Sequence, residues 1–329
     1  MSGTGLLLDL ALCAALVFTS WRVLHSSDHF QAVVLFIIFG LILALTWVRL
    51  DAPDIAIAEA AVGAGLAGVM LLDTLRMMKS TAAEKAAEED SWQDVADLPW
   101  YHQVLSFGAV LLLLSLLIST VLELPRTEGG LADLVNAKLQ VSGTKHPVTA
   151  VLLNFRGYDT WMELGILLVA ILGVLCIRKC PDLRAVAPPA ATNIILENLV
   201  MGMMPLLLLV AGYLLWRGGF APGGAFQAGV VLGAAGILLW MVGYRSLTLL
   251  PVGIWRILII MGFLAFIAMG TSSLLRTGIF LAYDRQYAGL QIFLMESAAT
   301  LSIGAILAGL VLALQPLRKE ISSSDRDEG

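Results

Sequence analysis

Charge is scarce in this sequence. Asp, Glu, Lys and Arg make up 14% of its 329 residues, where a soluble domain carries roughly a quarter. Set beside 59% hydrophobic side chains and a mean hydropathy of +0.87, that scarcity excludes a water-soluble globule and leaves a membrane protein. Basic residues never form a block and the net charge is -5, so the positive surface that nucleic acid requires is missing. The three cysteines, Cys13, Cys176 and Cys180, have neither a second pair nor a nearby histidine to complete a zinc set and read as packing thiols. All four histidines, His25, His29, His102 and His146, fall at the ends of apolar runs or in loops. Proton relay through a histidine inside a span therefore has no residue to carry it. No nucleophile elbow and no G-x-x-x-x-G-K phosphate loop occurs, so neither a free-standing enzyme nor a bound cofactor is expected.

What the chain does contain is apolar runs of spanning length. Windows at about 5-23, 30-48, 54-78, 102-123, 159-178, 193-216, 226-244, 255-275 and 291-314 each supply the ~20 residues that cross a bilayer. Irregular backbone in lipid leaves polar groups unpaired, so these are expected to be helices. The predicted fold is an all-α integral membrane protein of about nine transmembrane helices. The first window carries Asp9, follows a start without Lys or Arg and precedes no convincing cleavage site, which argues against a removable leader. Alternate loops divide the twenty Lys and Arg twelve to eight. Positive charge marks the cytoplasmic side, so the N-terminus is expected outside and the C-terminus in the cytoplasm.

Three segments interrupt the helical rhythm. Residues 79-99 hold six acids against two lysines and read as a cytoplasmic helical linker. Leu124 to Tyr158 reads as an outer loop with a short amphipathic stretch around Leu131 to Leu139 and an apolar run from Val148 to Phe155. Eight residues are too few to span, so that run is expected at the interface or packed on neighbours. Lys179 to Thr192, with Pro181, Pro188 and Pro189, joins the fifth window to the sixth like a connector between modules. The expected organisation is a fusion: 1-78, 100-180 and 193-314, with a tail at 315-329.

A carboxylate inside a bilayer costs several kcal/mol unless it is protonated, paired or in contact with water, so intramembrane acids are candidate functional groups. Glu59, Glu163, Glu197 and Glu296 are four such acids, each lying ~6-8 Å from a window end at the helical rise. With the orientation above, Glu59, Glu163 and Glu296 fall in the outer half and Glu197 in the inner half. An acid this near a helix end also suits the headgroup layer or the positive end of a helix dipole, and both readings stay open. Company on the same face favours the functional one: Asp159 lies four before Glu163, Asn193 four before Glu197 and Thr300 four after Glu296. Two carboxylates as close as Asp159 and Glu163 repel when both are charged, which raises one proton affinity or recruits a cation such as Na+. Small residues mark helix contacts: Gly63 among the alanines that follow Glu59, and Gly229-x-x-x-Gly233.

Two of these features, with a third motif, carry a resemblance. Asp51 to Gly65, DAPDIAIAEAAVGAG, joins Pro53, the helix-starting acid Asp54 and the intramembrane Glu59. It resembles the D module of membrane-bound hydrogenases, which also occurs near the C-terminal end of the large A-type component of Mrp-type multisubunit cation/proton antiporters. LLNFRGYDTWMELGIL, Leu152 to Leu167, resembles the E module of the same complexes, in which an Arg-Gly-Tyr-Asp-Thr turn enters a helix bearing a glutamate. GGFAPGGAFQAG, Gly218 to Gly229, is similar to the signature of the B-type antiporter component, here Pro222, Gly223, Gly224 and Phe226. Ala225 and Ala228 stand where that signature usually has glycine, which implies a loop less permissive of positive φ.

The resemblance implies a membrane subunit of a Na+/H+ antiporter in a bacterial or archaeal cytoplasmic membrane, working with A-, C-, D-, E-, F- and G-like partners. It makes Glu59 and Glu163 the acids of ion movement. Asp54, Asp159, Glu197 and Glu296 are added from the residue reading, with Na+ held transiently at Glu59, Asp159 or Glu163. The alternatives are the equivalent module of a redox-driven relative such as a membrane-bound hydrogenase, or an adaptor between pumping subunits.

Overall fold

A computed structural model of the chain describes residues 3-72, 74-75, 100-123, 130-177, 194-244 and 251-314. The expected linkers at 79-99 and 179-192 and the tail at 315-329 lie outside the described residues, as does Cys180. All regular structure among the described residues is helical. The chain divides into two compact units, Met1–Leu72 with Val135–Gly329, and Asp73–Leu134.

The larger unit starts with α1 (Gly3–Leu24) and α2 (His29–Arg49), a hairpin whose open end is closed by Arg49 Nε on Asp9 Oδ1 at 2.7 Å. Asp28 caps α2 by accepting from the Phe30 N–H. A turn through Asp51, which takes the left-handed conformation at φ +56°, leads into α3 (Pro53–Leu72). Pro53 at the first helical position suits its fixed φ and missing N–H. From Glu59 to Leu66 this helix widens to π-helical geometry. Its close approach to α2 is at Gly68, where an added Cβ would lie 2.7 Å from Ile37.

In the smaller unit α4 (Trp100–Glu123) exposes every side chain from Val104 to Glu123. Its Ser115, Ser119 and Thr120 hydroxyls donate to carbonyls of their own helix. Internal satisfaction of polar groups beneath an apolar surface is what lipid demands of a helix. The amphipathic stretch near 131-139 forms α5 (Ala132–Lys138).

The larger unit continues through α6 (Pro147–Ala150) and a π-helical turn, Val151–Phe155. As expected for so short an apolar run, this segment packs on neighbours: Ala150 and Leu153 are buried. Then follow α7 (Gly157–Ile177), α8 (Ile194–Arg217), α9 (Ala225–Met241), α10 (Val252–Thr277) and α11 (Ala288–Leu314). Eight helices among the described residues are long and apolar enough to cross a membrane, and α9, with 17 residues, is shorter. The window expected over 226-244 thus yields a shorter helix, buried along most of its length.

α11 is the axis of the larger unit, enclosed by α9 and α10. Glycines set how closely the backbones approach. A Cβ on Gly229 would lie 2.7 Å from the Ile303 Cβ, one on Gly233 3.1 Å from Leu307, and one on Gly262 2.9 Å from Ser302. Such approach brings dispersion contact where lipid gives helices little hydrophobic reason to associate. Gly63 behaves differently from the packing position expected of it: the space beside it is filled by the carboxylate of Glu59 from its own helix. We predict that Gly229→Ala lowers stability by about 1-3 kcal/mol, the usual cost of overpacking. Gly212→Ala, where a Cβ meets nothing within 4 Å, serves as the control and should leave the melting temperature in detergent unchanged or raised.

Candidate functional site

The N-terminal ends of α3, α7, α9 and α11 and the C-terminal end of α8 meet at one end of the larger unit. Asp54, on the first turn of α3, joins three sequence-distant segments there. Its Oδ2 lies 2.9 Å from His146 Nε2, its Oδ1 accepts from the Gly223 N–H at 3.1 Å, and its carbonyl accepts from Gln227 Nε2 at 3.2 Å. The two loops it holds are also bound to each other. The Lys145 and His146 N–H groups both donate to the Gly219 carbonyl, and Thr149 Oγ1 donates to the Gly218 carbonyl. Asn154 Nδ2 donates to the carbonyl of fully buried Ser142, 2.7 Å away.

The B-type motif is folded as its glycines require. Gly223 and Gly224 have φ of +153° and +117°. A Cβ on Gly223 would meet the Leu214 carbonyl at 2.7 Å, the same oxygen that accepts from the Gly218 and Gly224 N–H groups. Ala225 is already the first residue of α9 and Ala228 is buried inside that helix. The alanines at the departures from the signature therefore sit where no positive φ is needed, and the less permissive loop expected there does not arise.

These elements line a half-open cavity of about 350 Å3 whose lining includes Asp54, Thr149, Thr160, Glu163, Phe226, Gln227 and Glu296. The volume has room for several waters. Glu296 is 3% exposed and lies eight residues into α11, about 12 Å along it at 1.5 Å per residue, deeper than its expected position. Its carboxylate is cradled by glycines: added Cβ atoms on Gly224 and Gly218 would lie 3.1 and 3.3 Å from its Oε1. The carboxylate lies beside the start of α9, an arrangement in which the helix dipole favours negative charge. Thr300 Oγ1 bridges the Glu296 and Ala225 carbonyls. Glu163 reaches the same cavity from α7 and keeps accessible surface there. α7 is braced by Trp161 against Phe263 and Phe280, both at 5.5 Å between ring centroids.

The segment between α10 and α11 closes this end. Leu281 is buried in the left-handed conformation, φ +58°, and beyond it Tyr283 donates to the Leu153 carbonyl at 2.7 Å. Burial first, and then the Glu296 charge, hold the Tyr283 phenol above its usual proton affinity, so it remains a neutral donor.

Not every expected site residue belongs here. Asp159 is turned to Arg156, whose Nε lies 2.7 Å from its Oδ2 on the exposed surface. It is compensated there, and the expected mutual repulsion with Glu163 gives way to an ordinary ion pair. Glu59 is absent from the cavity lining because its carboxylate folds down its own helix over Gly63. Glu197 is exposed on the first turn of α8, outside the lining. Pro222 belongs to the loop, and Phe226 faces the cavity. The residues that sequence reasoning passed over are His146, Gln227, Thr149 and Tyr283. Of these only Gln227, inside the quoted motif, had a signal. Among the described residues no cluster of three His, Cys, Asp or Glu forms a metal site.

Fold and site together define a multi-pass α-helical membrane protein with an acid-lined cavity where its segments join. Comparison with known proteins then gives the kinship. Residues 14-80 match the MbhD family, the D-type subunit of MBH, and residues 195-315 match the domain related to the MnhB subunit of Na+/H+ antiporter. The chain is thus a fusion of a D-like module with a B-like module. It is 28% identical over 228 residues to the A/B-type subunit of a probable K(+)/H(+) antiporter of Rhizobium meliloti (strain 1021), an alignment covering 62% of this chain and 23% of that protein. Its fold resembles a chain in the structure of the Mrp complex from Dietzia sp. DQ12-45-1b, with a TM-score of 0.72, 20% identity, and coverage of 94% of this chain and 35% of that one. It also resembles a chain of the membrane-bound sulfane sulfur reductase, an archaeal respiratory membrane complex, with a TM-score of 0.52, 19% identity, and coverage of 65% of this chain and 98% of that one. The chain spans about a quarter of the curated relative's length.

Removing the Asp54 carboxylate leaves the Gly223 N–H and the His146 ring without their acceptor. Asp54→Ala should cost about 1-3 kcal/mol, the penalty for unsatisfied buried groups, read as a lower melting temperature in detergent, and Asp54→Asn less. Equal melting temperatures for native and Asp54→Ala protein would refute the placement.

Proposed function

We propose that this chain is a membrane subunit of a multisubunit cation/proton antiporter in the prokaryotic cell membrane, and that it contributes Glu163 and Glu296 to the ion path. The observation that carries this reading is their convergence from two helices on one hydratable cavity. A carboxylate in such a place exchanges between a protonated state and a charged state that a monovalent cation balances. That alternation is the chemistry of antiport. The likeness to the Rhizobium antiporter chain and the B-like domain support it. The cavity end of the bundle faces outside, following the distribution of basic residues. Residues 100-180 act as the E-like module that the Arg156–Thr160 turn resembles, and the partners are the other antiporter subunits. Glu59 takes a lesser part, since its carboxylate lies on its own helix away from the cavity.

Na+ and K+ both remain candidate cargoes: the matched domain is described by its relation to a Na+/H+ antiporter and the curated relative by K+. The test is cation-dependent dissipation of a pH gradient in everted vesicles carrying the whole assembly, with Na+ and K+ supplied separately. Glu163→Gln and Glu296→Gln should each abolish exchange while the subunits still co-purify. Retained exchange in both variants would demote the chain to a scaffold, and co-purifying iron–sulfur subunits would point to a redox-driven complex.

A further inference from the structure

The structure places a histidine where the sequence offered none for proton transfer. His146 is part of no span, yet its Nε2 lies 2.9 Å from Asp54 Oδ2, with the two side chains 13% and 14% exposed. Its backbone is fixed on both sides: the N–H donates to Gly219 and the carbonyl accepts from Ala150 in the first turn of α6. The ring is therefore held against the carboxylate, while its Nδ1 has no hydrogen-bond partner among the described residues. Asp54 in turn lines the cavity that holds Glu163 and Glu296. Ionisable groups next to the pair in the chain are Lys145 beside His146 in the loop and Asp51 in the turn before Asp54, and Tyr283 and Arg217 are engaged elsewhere, with Leu153 and Tyr213.

We infer that His146 loads protons into the cavity, linking the aqueous surface to Asp54 and through cavity water to Glu163 and Glu296. A proton taken up at Nδ1 makes the ring an imidazolium with both nitrogens protonated. The Nε2 proton then passes to Asp54 Oδ2, leaving a neutral imidazole and a neutral carboxylic acid. Asp54 gives its proton to water in the cavity and recovers its charge, and the neutral ring resets by turning over, which brings its remaining N–H to Asp54 and its unprotonated nitrogen to the aqueous side, so that each cycle moves one proton inward. No oxidant, reductant or bound group takes part. Histidine suits the position because its two ring nitrogens let it take a proton at one and pass a proton on from the other. The inference rests on the antiport reading and adds the entry residue for one of its two ions.

The test is the pH profile of exchange, measured from about pH 5.5 to 8.5, in vesicles carrying the whole assembly. His146→Gln keeps an amide donor for Asp54 but does not titrate. It should lose the part of the pH dependence that falls in that range, while the subunits co-purify as in the native assembly. Asp54→Asn keeps an acceptor for the Gly223 N–H but accepts no proton, and it should lose the same part of the profile. A purely structural role would scale the rate at every pH without changing the profile. Native profiles in both variants would overturn the inference. Should His146→Gln assemble poorly, the Asp54→Asn profile decides alone. Glu163→Gln and Glu296→Gln in the same vesicles separate the two levels: their inactivity beside a native His146→Gln profile removes only the relay, and activity of both removes the reading that this chain carries the ion path.

Discussion

The carboxylate of Asp54 is the point at which three stretches of chain become one structure. Its two oxygens and its own carbonyl engage a loop histidine, a glycine N–H and a glutamine from segments 92, 169 and 173 residues away. Each of those partners is itself placed by other bonds: His146 by Gly219, the glycine loop by the Leu214 carbonyl, and Gln227 by the first turn of α9. Without the acid, an N–H and a ring would face each other in a half-buried space, and the Gln227 amide on the residue-54 carbonyl would be left to hold the start of α3 against the other segments. In a membrane this matters more than in water, because helices gain little from hiding apolar surface that lipid would cover equally well. Polar contacts at the ends and close backbone approach in the middle must hold the bundle instead.

The same junction explains why a cavity forms at this end. Glycines at 218, 223 and 224 leave the space that side chains would fill, and the Glu296 carboxylate occupies its edge beside the α9 N-terminus. α11 can hold an acid two turns inside because that acid has a helix dipole and a hydratable space next to it. The two π-helical stretches, 59-66 in α3 and 151-155 after α6, both lie close to this region. Wider helical turns of this kind are commonly found at functional positions. Here the second offers its Leu153 carbonyl to Tyr283, which ties the α10–α11 segment across the end of the cavity.

Much of the architecture could be read from hydrophobic run length alone, since a bilayer imposes a length that short periodic patterns do not. Every apolar window falls on a helix over its described residues, and only α9 is shorter than its window suggests. The helix entries at Pro53, Arg156 and Pro222 were legible because proline, glycine and a charged turn punctuate them. The partners of the acids were not legible. Asp159 and Glu163 share a helix face at spacing four, but a spacing rule cannot foresee that Arg156 reaches Asp159 first. Gly63 reads as a contact for a neighbouring helix, and only three-dimensional placement reveals that Glu59 fills its niche. His146 had no signal because its importance comes from what folds against it 92 residues away in sequence.

The central claim is that carboxylates from α7 and α11 open on one shared cavity. Its most direct test is thiol modification in the assembled complex, with Cys13, Cys176 and Cys180 replaced by serine. Glu163→Cys and Glu296→Cys are introduced singly and together, and a small positively charged thiol reagent is applied at limiting amount. A shared cavity predicts that each single variant is labelled from the aqueous phase and that the double variant takes up one label, since occupation of the first thiol denies space and charge to the second. Independent labelling of both thiols in the double variant would contradict the account.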